Sequence, residues 1–152
     1  MKKIQFNYIN RKFSYNKKTD LKKFIEFLFE KESRQLASLH YIFCSDNYLI
    51  TINRTFLHHD NYTDIITFDL SESKLAIVGE IYISIDRVKE NAAKFNVPIM
   101  EEMLRVIFHG ALHLCGFLDK KPKDILLMRK QEETYIQMFL NKKVLHVEHK
   151  SM

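Results

Sequence analysis

Between Leu104 and Leu114 the chain reads Leu-Arg-Val-Ile-Phe-His-Gly-Ala-Leu-His-Leu, a run that as a helix is apolar almost all round. A helix of that kind is buried, so other elements have to cover it on nearly every side. Two imidazoles are set into it. His109 and His113 stand four residues apart, on one helix face, with Cβ atoms about 5–6 Å from each other. Both can therefore reach one ion, and burying them without partners is costly. Gly116 then offers the left-handed conformation that ends a helix and reverses the chain. Asp119, three residues later, is able to fold back towards the pair. Two histidines and a carboxylate make the three-ligand set of a catalytic zinc site with an open water position. The same set also suits non-haem iron(II), which ranks behind zinc.

The neighbours narrow the chemistry. Metalloproteases carry H-E-x-x-H, with the glutamate as general base. Gly110 occupies that position here, so peptidase chemistry of this type lacks its base. Cys115 lies two residues beyond His113, on the opposite side of the helix at about 100° per residue, and reads as core. His58 and His59, beside Asp60, read as an exposed loop pair. His146 and His149 read as part of a frayed tail. Thr63-Asp64 could be functional, yet an Asp before a strand is also an ordinary turn residue, and Met100, Met103 and Met128 read as packing.

H-G-x-L-H-L-x-G from His109 to Gly116, followed by a third ligand, resembles the signature of the YbeY family of bacterial endoribonucleases. Upstream, Ile52-Asn53, Thr63-Asp64-Ile65-Ile66-Thr67-Phe68 and Gly79-Glu80-Ile81-Tyr82-Ile83-Ser84 resemble that family's L-N, T-D-V-L-S-F and G-D-I blocks, in the same order. The resemblance implies a single-domain, zincin-like α+β fold. It also implies a single-strand-specific, metal-dependent endoribonuclease acting in ribosomal RNA maturation and ribosome quality control. One zinc ion would be held by His109, His113 and Asp119. Ribosomal RNA precursors would be the substrate, with ribosomal proteins or assembly GTPases as further partners. Two positions depart from the pattern. Asp119 stands where the family has a third histidine, which adds a negative charge. Leu57 stands where the family has an arginine; if that arginine holds RNA phosphate, another cation must do so here, and Arg54, one turn earlier, is a candidate, with a solvated helix residue as its alternative reading. Two other readings stay open. One is a non-catalytic ribosome-assembly factor with a structural zinc closed by His58 or His59; the other is a hydrolase of some smaller substrate.

With 152 residues, 46% of them hydrophobic, the chain has the size and apolar content of one domain. Three glycines and two prolines argue against linkers and against an all-β architecture. Cys44 and Cys115 are too few for a disulfide framework, so a reduced, cytoplasmic setting is expected. The start of the chain lacks the apolar region of a signal peptide, and no run reaches a membrane-spanning length. Net charge is +6 over residues 1–40, −4 over 41–118 and +3 over 119–152. An acidic middle with basic ends favours a polyanionic partner. Arg11-Lys12, Lys17-Lys18 and Lys22-Lys23, with Phe13 and Tyr15 among them, could contact a phosphate backbone.

Pattern and caps predict four strands and five helices in mixed order. Strands are expected over 3–8, Tyr41–Cys44, Thr63–Leu70 and Leu75–Ile83. Helices are expected from Thr19 or Asp20 to about Leu39, over Asp46–Leu57 behind a Ser45 cap, from Ser84 to Phe95, over Glu101–Cys115 behind Pro98, and over Asp124–Leu140. The expected architecture is one α+β domain over residues 1–140, a mixed four-stranded sheet with about five helices, followed by a tail over 141–152.

Overall fold

A computed structural model describes residues 2–141. Four strands and five helices follow one another as β1 (Ile4–Ile9), α1 (Lys18–Lys31), β2 (Leu36–Cys44), α2 (Asp46–Leu57), β3 (Ile65–Asp69), β4 (Ile77–Ser84), α3 (Ile85–Phe95), α4 (Ile99–Leu114) and α5 (Pro122–Leu140). The sheet order is β1-β2-β4-β3. β1, β2 and β4 run parallel, and β3 closes one edge antiparallel to β4. This is the mixed four-stranded α+β domain expected, and the bounds of α2 fall where the periodicity puts them. His146, His149 and all of the expected tail but Asn141 lie outside the described residues.

The strands alternate between two unequal faces. Tyr41, Phe43, Ile81 and Ile83 point into the large core shared with α1, α4 and α5. Cys44, Ile66, Phe68 and Tyr82 point the other way, into a small cluster closed by Leu49 and Ile52 of α2. Caps behave as the sequence suggests: Ser45 Oγ accepts from the Tyr48 N–H at 3.1 Å and Ser84 Oγ from the Arg87 N–H at 3.0 Å.

One expected element is wrong. The first helix stops at Lys31, and Leu36–Leu39 belong to β2. Ser33, at φ 59°, takes the left-handed role usually given to glycine. Its N–H donates to Glu30 O and the Arg34 N–H to Phe29 O, both at 2.9 Å. Those two bonds make a Schellman end. The i, i+3 spacing of Leu36 and Leu39 mimics a helix because β2 carries a bulge between Leu36 and Ser38. One extra residue returns both leucines to the core face.

The buried helix α4 lies directly on the sheet because two glycines remove the side chains that would separate them. A Cβ on Gly110 would sit 2.7 Å from Ile81 Cδ1 and 3.0 Å from Ile65 Cδ1. A Cβ on Gly79 of β4 would sit 2.7 Å from Leu114 Cδ1. The Tyr41 hydroxyl, fully buried, donates to the Ile107 carbonyl at 2.8 Å and joins β2 to the same helix. At Gly110 alanine would gain about 1 kcal/mol of helix propensity, but overpacking a core of this kind costs about 1–3 kcal/mol. Gly110→Ala is therefore expected to lower the denaturant midpoint with the slope unchanged; a midpoint equal to or above the parent would show that the helix has room. Tyr41→Phe is expected to cost roughly 1 kcal/mol, the worth of one buried hydrogen bond.

Candidate metal centre

Gly116, at φ 106°, ends α4. The Phe117 N–H donates to Leu112 O at 3.1 Å and the Gly116 N–H to His113 O at 3.0 Å, a second Schellman end. The reversal has two consequences for the histidines. It brings the Phe117 carbonyl to His113, whose Nδ1 donates to it at 3.2 Å. It also carries the chain back so that Asp119 Oδ2 stands 3.2 Å from His109 Nε2.

The other ring nitrogen of His109 is held from α5. Its Nδ1 lies 2.6 Å from Glu132 Oε2, and Glu132 is only 4% exposed. The second Glu132 oxygen lies 3.8 Å from Arg105 Nη1. Arg105 is also 3.6 Å from Glu102 and 3.1 Å from Glu133, so its guanidinium is committed to three carboxylates. Burial alone would lower the pKa of His109, but the Glu132 hydrogen bond and charge, with Asp119 and Asp64 behind them, raise it. Burial raises Asp64 and Glu102 from the ordinary carboxylate value; the opposite pull on Asp64 of its own backbone hydrogen bond, His109 and Arg87, and on Glu102 of Arg105, is the weaker effect.

His109 and its carboxylates, but not His113, line a cleft of about 690 Å³ bounded by α3, α4, α5 and the start of β3. His109, Asp119, Glu132 and Asp64 all reach it. Among the described residues no three His, Cys, Asp or Glu side chains are gathered so as to hold an ion. His109 and Asp119 come together, while His113 is exposed and turned to Phe117. The donors nonetheless fit a divalent metal. Each Nδ1 faces an acceptor, Glu132 for His109 and the Phe117 carbonyl for His113, and a carboxylate behind a histidine is the usual support of a metal ligand.

Other sequence candidates fall elsewhere. Arg54, in the last turn of α2, is exposed, donates to Asp60, and does not line the cleft. His58 and His59 are exposed beyond the same helix and do not line it either. Cys115 is buried, as read, and burial pushes its thiol up to about 12. Lys18 Nζ lies 4.5 Å above the Tyr8 ring and Lys22 Nζ 5.0 Å above Phe6, so part of the basic N-terminal region does interleave with aromatics. Glu132 was not singled out from the sequence. Its signal was a carboxylate in the apolar stripe of Met128, Tyr135, Ile136 and Phe139, where an unpaired charge does not belong.

A profile of the family described as endoribonuclease YbeY matches residues 4–140. A protein of Flavobacterium psychrophilum called endoribonuclease YbeY is 44% identical over 136 residues, covering 90% of this chain and 96% of its own. One of Christiangramia forsetii with the same name is 43% identical over 140 residues, covering 91% and 97%. The solution structure of TM1509 from Thermotoga maritima aligns with a TM-score of 0.65 and 26% identity over 93% of each chain.

Glu132→Gln tests the electrostatics. The substitution removes the charge that most raises His109, so the His109 ring is expected to titrate at lower pH than in the parent when followed by NMR in metal-free protein. The sign for stability follows. With its folded pKa raised, His109 stabilises the fold below the unfolded value, and that contribution is lost as pH rises through the folded value. An unmoved titration would mean that Glu132 does not govern the ring.

Proposed function

Because the chain belongs to the family of the endoribonuclease YbeY, we propose that the cleft at His109 hydrolyses phosphodiester bonds of single-stranded RNA, with ribosomal RNA precursors as the substrate. The observation that carries this reading is His109 held between Glu132 and Asp119 in an open cleft. His109, His113 and Asp119 would hold one zinc ion. When bound, zinc would supply a Lewis acid for a phosphoryl oxygen and a more acidic water. Glu132 keeps the His109 proton on Nδ1. Asp64 and Glu102, whose ionisation burial disfavours, are the cleft carboxylates best suited to take or give a proton. The catalytic unit is proposed to span residues 1–140.

Phosphate contact falls to cations in and around the cleft. Arg54 can serve only by exchanging Asp60 for a phosphate, an exchange that an exposed pair worth about 0–1 kcal/mol permits. The lysines near Tyr8 and Phe6 are placed to hold more distant backbone, so affinity falls as salt rises. The rival assembly-factor reading needs a fourth protein ligand to close a structural site; His58 and His59 are exposed beyond α2 and, like His113, do not line the cleft. The proposed setting is the cytoplasm, where Cys44 and Cys115 stay reduced and where ribosomal proteins or assembly GTPases are the further partners. No helix among the described residues is long and apolar enough to cross a membrane.

Zinc-loaded protein is expected to cut an unpaired ribosomal RNA fragment, and His113→Ala to lose metal and cleavage together. Full metal content in His113→Ala would sink the ligand assignment. Glu132→Gln is expected to weaken metal binding by about 10- to 100-fold, the usual effect of losing such a support. Asp119→His should retain metal and move the pH–rate profile to lower pH, since a neutral donor replaces a charge; movement to higher pH would contradict the charge argument.

A further inference from the structure

One wall of the cleft takes no part in the chemistry described so far. Asn91 and Phe95 are four residues apart on α3, which puts them on one helix face, and both line the cleft together with His109 and Asp119. Phe95 is the last residue of α3, ahead of the left-handed Asn96, and is 58% exposed. Single exposed apolar residues are ordinary; this one is displayed inside a charged cleft with an amide one turn away. Lys94 Nζ lies 5.8 Å from the centre of its ring. From α5, Arg129 lines the same cleft and, unlike Arg105, has no ion-pair partner among the described residues.

We propose that Asn91 and Phe95 form a nucleobase subsite, in which the Phe95 ring stacks on an unpaired base and the Asn91 amide hydrogen-bonds its edge. Lys94 and Arg129 hold the flanking phosphates. An aromatic face takes any base, because every base has a π-face, and an RNA strand brings the negative charge that the two cations match. A duplex keeps its bases stacked and paired within the helix, so the subsite admits unpaired strands and rejects paired ones. The inference rests on the reading of the cleft as an RNA-cleaving site and supplies the physical basis of its strand preference. Loss of one base stack is worth about 5- to 150-fold in affinity. It should appear in KM, because the contact is made equally before and during the reaction.

The chain has no tryptophan, so Phe95→Trp places a sole indole at the subsite. Its emission is expected to be quenched by a short 2′-O-methyl oligouridylate, and the affinity to drop at least about 5-fold for an abasic oligomer of equal length. Phe95→Ala and Asn91→Ala are each expected to raise KM for unpaired RNA with zinc content unchanged. Equal quenching and affinity with the abasic oligomer, or a parental KM in Phe95→Ala, overturns the subsite while leaving hydrolysis in place. Quenching by the base-bearing oligomer in a protein that cuts no RNA overturns the hydrolytic reading and supports the subsite. Neither quenching nor cleavage overturns both.

Discussion

Everything in this fold that bears on chemistry depends on how closely α4 approaches β4. Gly110 on the helix and Gly79 on the strand each leave out a Cβ that would stand 2.7 Å from a core side chain. The contact they permit seats a helix that is apolar almost all round against the sheet, and the Tyr41–Ile107 hydrogen bond joins it to the adjacent strand. Because interiors are packed as densely as crystals, that seat sets both the height and the rotation of α4. His109 then emerges at the cleft and not inside the core. The residue that a metalloprotease would use as its base is, in this chain, spent on packing.

The cleft concentrates negative charge around one ring. Asp119 and Glu132 contact His109 directly, and Asp64 acts on it from the start of β3. Such a cluster repels itself unless a cation stands among it, which explains why the imidazole is driven towards its protonated form despite burial. A divalent ion would meet the same electrostatic demand, and Glu132 behind His109 has the arrangement that supports a ligand. Asp119 in place of a neutral histidine deepens this negative field. An RNA phosphate entering the cleft needs cations to offset it, and Arg105 is already held by three carboxylates. In the proposed reading Arg129, which lines the cleft, and Lys94 beside Phe95 would meet that need together with Arg54.

Much of this was legible in local sequence. Ser45 and Ser84 mark helix starts through their own side-chain bonds, and Gly116 marks an end through its positive φ. The i, i+4 spacing of His109 and His113 places both rings on one face, and the reversal at Gly116 brings Asp119 back to the first of them. Where local reading failed, a residue without the usual signature did the work. Ser33 ended α1 in a conformation normally left to glycine, and the bulge in β2 dressed a strand in helical spacing.

By itself, then, the sequence determined most of the elements, the buried helix, the histidine pair and the returning carboxylate, because caps, turns and helical periodicity act within a few residues. Only the tertiary structure decided which groups surround that pair. Glu132 meets His109 across 23 residues of chain, and Asn91 and Phe95 face the same cleft from a third helix. Those meetings depend on how α3 and α5 pack against α4, and packing is settled by the shape of the whole core, which no window of sequence contains.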